Sequence, residues 1–402
     1  MTTEQVISWP GLALPAPAPV RVWLLERLFR WRAAGLPIRI VFPGGETIGC
    51  GGPHSPVMRV VRPGALFRRL ARVGPIGFGE AYLTGDWTSQ DPAGVLTPFA
   101  IRLTRPVSRT AVALRRVLDA RVPESERNTE QGARRNARYH YDLPAEFFAL
   151  FLDESLTYSG ACFDDTDDLL TAQLNKIGRV LDDAAVGAGT RVLEIGTGWG
   201  TLAIMAARRG AEVVSATVSP EQHRVATSRI AAAGLGDRAT VLLSDYRELK
   251  GTYDAIVSVE MVEAVGAEYW PAYFGCLDHL LAPGGRVALQ AITMSHDRML
   301  ATMNVHTWIQ KYVFPGGQVL SVRAVEEQLA RTRLRVLSRR SSGFDYARTL
   351  ETWRERFLAS REEVARFGFD ETFARMWEYY LAYAEAGFRA GHLDVWQFSL
   401  GR

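Results

Sequence analysis

The residues best suited to chemistry begin with Val192-Leu-Glu-Ile-Gly-Thr-Gly-Trp-Gly200. An apolar run enters a turn carrying three glycines, and a helical pattern follows. Glycines let a backbone turn tightly and approach a ligand with no Cβ in the way. A dinucleotide fold places GxGxxG here and receives a pyrophosphate at the helix N-terminus. The spacing Glu-x-Gly-x-Gly-x-Gly instead suits the amino-acid part of a ligand without phosphate. Gly196, Gly198 and Gly200 would shape that turn, and Glu194 would accept from a ligand ammonium or fix the loop. Further on, Thr217 and Gln222 are the polar groups available at the second strand tip, where a ribose is met in doubly wound folds. Asp245 and Tyr246 follow a third strand, placed for an adenine: the acid to its amine, the ring against its face.

Three other residues are chemically conspicuous. Glu263 lies in the apolar run Met261-Val-Glu-Ala-Val265, and a buried carboxylate is rare without a partner. Gln290, among Ala, Leu and Ile, is a buried amide that needs hydrogen-bond partners, which could be backbone alone. Tyr346 is either a reactive-site hydroxyl or a core aromatic with its hydroxyl satisfied. His140 and Tyr141 could close over a cofactor or cap a helix. Trp308, Tyr312, Phe314, Trp353, Phe357, Phe388 and Trp396 could line an acyl tunnel and face a cation, or could be plain core.

These residues need a scaffold. The pattern predicts strands over 190–195, 212–217, 239–243, 253–258 and 286–292, alternating with helices over 201–208, 220–233 and 270–281. Such alternation implies a doubly wound α/β fold with a parallel sheet. Helical pattern also covers 144–152, 168–184 and much of 349–389. Residues 1–121 read as a smaller, mainly helical or mixed N-terminal domain. The polar stretch 122–137 reads as a linker, with the catalytic domain over 138–402.

The 402 residues carry a net charge of only +3, unevenly spread. Residues 1–122 hold 16 Arg, no Lys and 7 acids, so the front is basic and the remainder acidic. A basic front suggests an anionic partner such as a membrane surface, or simply a solvated face. The stretch 20–34 has apolar residues at helical spacing, with Arg21, Arg27 and Arg30 mostly opposite. That describes either a membrane-surface helix or a packed one with a charged outer face. The three cysteines are too few and too scattered for a disulfide framework or a zinc site. No signal-peptide pattern opens the chain, and no apolar run is long enough to span a membrane. A cytoplasmic protein, peripheral at the inner face of the membrane, is the expectation.

The ordered motifs resemble those of the cyclopropane-fatty-acyl-phospholipid and mycolic-acid cyclopropane synthases. The likeness rests on Tyr139-His-Tyr-Asp-Leu143, Leu156-Thr-Tyr-Ser159, the glycine turn, Thr217-Val-Ser-Pro-Glu-Gln222, Asp245-Tyr-Arg247, Val259-Glu-Met-Val-Glu-Ala-Val-Gly266, Trp308–Pro315, Tyr346–Leu350 and Trp396-Gln397. It covers about 280 residues well. In the front domain, Gly77-Phe-Gly-Glu-Ala-Tyr82 is similar to the lipid-binding part of the longer synthases. The resemblance implies methyl transfer from S-adenosyl-L-methionine to an acyl double bond, through a carbocation that must lose a proton. It implies Tyr158, Ser159 and Val218 as further cofactor contacts. It also implies a bicarbonate base held by Glu263 and Tyr346 through side chains and by Gly160 and Ile292 through backbone.

Two departures stand out. Gly160 replaces the family's Cys, which a backbone role tolerates. Gln290 replaces its bicarbonate-binding His, and an amide cannot become a cation near neutral pH. The second departure resembles the actinobacterial enzymes that make 10-methylene precursors of 10-methyl, tuberculostearic-type fatty acids from oleoyl-type phospholipid chains. There a hydride shift precedes proton loss, and a separate flavin- or NADPH-type reductase finishes the product. The expected partners are therefore a phospholipid surface and such a reductase, with a homo-oligomer open and no nucleic acid. Formation of a cyclopropane ring is the alternative, and a small-molecule methyltransferase a remoter one. The sequence lacks HExxH, GxSxG and Walker motifs, and its seven His have no metal-ligand spacing, so no metal is expected.

Overall fold

The computed structural model describes residues 9–16, 18–104, 123–129, 132–133, 135–136, 143–303 and 305–402. Its contacts divide the chain into two compact units.

The larger unit comprises Val122–Asn304, Val313–Thr352 and Leu393–Arg402. The smaller unit, described below, contributes strands β1 to β4, so the strands here run from β5. They are β5 (Arg191–Ile195), β6 (Glu212–Thr217), β7 (Ala239–Leu243), β8 (Tyr253–Val259), β9 (Leu281–Met294), β10 (Arg335–Ser341) and β11 (Leu393–Gly401). They form one sheet in the order β10-β11-β9-β8-β5-β6-β7. β9, β8, β5, β6 and β7 are mutually parallel, while β11 runs antiparallel to both β9 and β10. The expected doubly wound sheet is present with two antiparallel strands added at one edge. β5 is buried along Val192 to Ile195, as a central parallel strand must be. Helices Leu169–Asp183 and Thr201–Arg208 supply apolar faces such as Ile177, Val180, Ala203 and Ala207 to one core cluster, and helix Trp270–Leu280 packs into a second.

The chain runs outward from β5 to β7, then returns to lay β8 on the other side of β5. That reversal opens a crevice at the carboxyl ends of β5 and β8, where ligands bind in such sheets. The glycine turn follows β5, and Glu260 and Glu263 follow β8.

The smaller unit comprises Met1–Arg121, Val305–Tyr312 and Trp353–His392. A four-stranded sheet has β1 (Arg39–Val41) between β2 (Thr47–Ile48) and β3 (Val57–Val60), with β4 (Trp87–Thr88) at the edge. The unit also holds helices, among them Pro19–Ala33, Pro63–Val73, Pro75–Leu83, Pro92–Thr104 and Glu371–Arg389, so it is mixed rather than purely helical. The boundary differs from the linear division of the sequence, because the C-terminal helices group with the front domain. The reason is aromatic packing: Tyr379 lies against Tyr82, Trp87 and Trp308 at ring-centroid distances of 5.3, 6.3 and 4.6 Å. The Gly77–Tyr82 motif has a packing role in this unit. A Cβ on Gly79 would meet the Trp308 ring at 2.4 Å, and Glu80 accepts from Tyr312 Oη at 2.9 Å. Trp308, Tyr312, Trp353, Phe357 and Phe388 are all buried within it.

Candidate active site

All the residues of the site lie in the larger unit. The turn after β5 takes positive φ at Gly196 (99°), Gly198 (51°) and Gly200 (91°), conformations that favour glycine. A Cβ on Gly196 would meet Met261 Cγ at 2.3 Å, whereas one on Gly198 meets nothing within 4 Å. The first glycine therefore lets the segment after β8 approach, and the second faces open space. Beneath the turn, Glu194 Oε2 accepts from Ser215 Oγ at 2.5 Å, and Ser215 shares a 2.7 Å hydrogen bond with Thr197 in the turn. Burial pushes the Glu194 carboxyl up to about 8. Of its two expected roles, fixing the loop is the one its contacts describe.

Thr217 Oγ1 donates to Gln222 Oε1 at 2.8 Å, so the two residues expected at the ribose lie side by side. Val218 between them is half-buried. Asp245 is gripped by Arg247 through Nε and Nη2, both at 2.7 Å. The Tyr246 ring, expected against an adenine face, is buried and packs edge-on to Tyr273, with centroids 5.4 Å apart. Tyr158 packs on Phe148, and Ser159 Oγ accepts from Lys176 Nζ at 2.5 Å. His140 and Tyr141 lie outside the described residues.

The second half of the site centres on a residue the sequence reading passed over. Glu260, the first residue after β8, has φ +53°. Its Oε1 accepts from the Gly160 backbone N–H at 2.9 Å and from Gln290 Nε2 at 2.8 Å. Its Oε2 accepts from Tyr346 Oη at 2.6 Å. Gln290 is held in turn by Gln397, whose Nε2 donates to Gln290 Oε1 at 3.0 Å. That fixes the orientation of the Gln290 amide, because its nitrogen faces a carboxylate and the Gly160 carbonyl. Two buried amides are thus devoted to one carboxylate.

Glu263 stands apart from this cluster. Its Oε1 accepts from the Ile292 backbone N–H, and its buried Oε2 has no hydrogen-bond partner among the described residues. Burial first, then the neighbouring Glu260, push its carboxyl up to about 8. Lys176, buried on the helix Leu169–Asp183, is pulled down to about 8 by desolvation, against the pull of Glu260. The structure therefore brings Gly160, Gln290 and Tyr346 together on Glu260 and pairs Ile292 with Glu263, so these groups meet carboxyl groups of the chain itself. Gly160 is also more constrained than a backbone role requires. A Cβ there would lie 2.8 Å from Tyr346 Cδ1, so the family's Cys would displace the tyrosine.

The signals that could have revealed the missed residues are modest. Val259-Glu-Met-Val-Glu263 puts two acids three apart at a strand end, and Lys176 sits on the apolar face of its helix with Ala172, Ile177 and Val180.

A glycine turn of this kind at the switch point of this sheet defines a class I S-adenosylmethionine-dependent methyltransferase. The chain belongs to the mycolic acid cyclopropane synthetase family, whose model matches residues 128–398. It is similar to the tuberculostearic acid methyltransferase UfaA1 of Mycobacterium tuberculosis, 48% identical over 98% of this chain and 95% of that one. It is also similar to the cyclopropane-fatty-acyl-phospholipid synthase of Escherichia coli, 34% identical over 88% of this chain and 90% of the other. Among solved structures, the mycolic acid cyclopropane synthase CmaA1 complexed with SAH and CTAB superposes with a TM-score of 0.62. It is 29% identical and covers 67% of this chain and 98% of its own.

Proposed function

We propose that this enzyme methylates the double bond of an oleoyl-type phospholipid acyl chain and yields a 10-methylene product, the precursor of a 10-methyl branched fatty acid. The observation that carries this reading is the near full-length likeness to a tuberculostearic acid methyltransferase, front unit included. Bound S-adenosylmethionine supplies an electrophilic methyl group on a sulfonium. Gly196, Gly198 and Gly200 would receive its amino-acid part, Thr217, Val218 and Gln222 its ribose, and Asp245 its adenine amine, with Tyr158 and Ser159 beside it. Methylation leaves positive charge on the acyl chain, which the Glu260 carboxylate would offset, with the Glu263 carboxyl beside it. A hydride shift and loss of a proton from the added methyl group give the exocyclic methylene. Saturation of that methylene falls to a separate reductase.

The experiment is mass spectrometry of acyl chains from a host that makes oleoyl lipids and expresses this chain alone. One added carbon, cleaved by ozone to a mid-chain ketone, is the expected product. A cyclopropane ring would overturn the branching route and favour the second reading, which the likeness to the Escherichia coli synthase supports.

The same reading includes a peripheral membrane site in the smaller unit. Helix Pro19–Ala33 leaves Val20, Trp23, Leu24, Leu28 and Trp31 exposed, with Trp23 at 56% and Trp31 at 72%, interleaved with exposed Arg21 and Arg27. An apolar stripe with aromatics and arginines facing solvent suits the interface of an anionic bilayer. No helix among the described residues is long and apolar enough to cross a membrane. Co-sedimentation should show binding to anionic vesicles that weakens with salt. The pair Trp23→Ser and Trp31→Ser should abolish it. Unchanged binding by the double variant would refute the assignment.

A further inference from the structure

The groups assigned by resemblance to a bicarbonate ion are already engaged. Gly160 N–H, Gln290 Nε2 and Tyr346 Oη all donate to the Glu260 carboxylate, at 2.9, 2.8 and 2.6 Å. Of the other two groups, the Ile292 N–H donates to Glu263 Oε1, and Glu263 Oε2 is buried with no hydrogen-bond partner among the described residues. A carboxylate and a bicarbonate present the same planar pair of anionic oxygens, so the residues present do not call for a free ion. Glu260 also holds a left-handed backbone conformation, with φ +53°, which is strained for a residue other than glycine. Such strain persists where the surroundings fix it, and here three donors converge on the side chain it presents.

We infer that Glu260 is the enzyme's built-in proton acceptor, standing in the place of bicarbonate, so that turnover needs no added anion. The inference rests on the acyl methylation proposed above. In that reaction the alkene electron pair forms the new C–C bond, and the methyl–sulfur bond breaks with its pair left on sulfur. A hydride moves to the adjacent cationic carbon. A C–H bond of the added methyl group then breaks, its pair forms the methylene double bond, and the proton passes to a Glu260 oxygen. The flanking groups suit that role. Buried Lys176 and the Tyr346 and Gln290 donors favour the charged carboxylate against the desolvation that opposes it. Burial and then the neighbouring Glu260 push the Glu263 carboxyl up to about 8, so Glu263 is disposed to hold a proton beside Glu260.

The test uses the purified full-length enzyme, S-adenosylmethionine and oleoyl phospholipid vesicles. Rates in carbon-dioxide-free buffer and with millimolar bicarbonate should agree within about twofold. Glu260→Gly, which relieves the backbone strain and empties the anion position, should lose roughly a hundredfold or more of turnover. Its affinity for S-adenosylhomocysteine should be retained, and bicarbonate or formate should restore part of the rate. The isosteric Glu260→Gln should be equally slow and insensitive to either anion, because its amide still fills the position. A wild-type rate that depends on bicarbonate overturns the inference, as does Glu260→Gly turnover near wild type without added anion. Absence of any methylated acyl product from the wild type in every buffer would instead sink the proposed function itself.

Discussion

Gly196→Val is expected to abolish cofactor binding and turnover together. At φ +99° a β-branched residue is strained in any surroundings, and here its Cβ would sit 2.3 Å from Met261 Cγ and 2.7 Å from Met261 Sδ. Met261 is flexible, but it is flanked by Glu260 and lies two residues before Glu263. Any shift that admits the new side chain therefore displaces the second half of the site. Gly198→Ala is the control: its φ is +51° and its Cβ meets nothing within 4 Å. That variant should bear only the backbone cost, about 1 kcal/mol, and a correspondingly modest loss of stability. Calorimetric titration with S-adenosylhomocysteine distinguishes them. Gly196→Val binding close to wild type would contradict the assigned role of the turn.

Tyr346→Phe should lower turnover while leaving cofactor affinity intact. It removes the hydroxyl that donates to Glu260 Oε2 at 2.6 Å and leaves a carboxylate short of one partner. A hydrogen bond to a charged group contributes about 1.5–3 kcal/mol, or roughly ten- to a hundredfold in rate. The pH profile gives a readout that simple loss of packing would not move. The Glu260 carboxyl is raised by desolvation and lowered by Tyr346, with Lys176 and Gln290 also lowering it and Glu263 nearby. Without the tyrosine hydroxyl the carboxyl rises further, so less of it is ionised at a given pH. The acid limb of the rate profile should therefore move to higher pH, with activity partly recovered in alkaline buffer. A rate loss with an unmoved acid limb would separate Tyr346 from the ionisation of Glu260.

Much of the scaffold was legible in the sequence because its central strands are apolar runs bounded by glycine turns. Strands over 191–195, 212–217 and 239–243 and the helix over 201–208 stand within a residue of the pattern that predicts them. The antiparallel edge was not legible. β10, Arg-Val-Leu-Ser-Arg-Arg-Ser, is mostly exposed and reads as a polar loop, yet its arginines suit an edge strand that must not recruit another. β9 starts at Leu281 and crosses Pro283-Gly-Gly285, which in one dimension reads as a turn. The grouping of the C-terminal helices with the front domain depends on aromatic contacts between residues nearly 300 positions apart, such as Tyr82 and Tyr379, and local pattern carries no trace of these.

The chemistry of the site was legible by residue type more than by arrangement. Of the residues the sequence points to, Gly160, Gln290 and Tyr346 gather on Glu260, while Ile292 pairs with Glu263 outside that cluster. Glu260 was passed over because its importance comes from a positive φ and from donors 30 to 100 residues away, none of which sequence spacing encodes. The consequence is chemical: donors expected to hold a free anion hold a side chain.

The measurement that bears most directly on the central claim is where the alkene hydrogens go. The purified enzyme would be given oleoyl phospholipid with deuterium on both alkene carbons, and the product analysed by deuterium NMR and fragment masses. Both deuterium atoms are expected on one chain carbon, beside a carbon that bears an exocyclic methylene. One deuterium on each of two ring carbons would mean that no hydride shift occurs, and the enzyme would be a cyclopropane synthase.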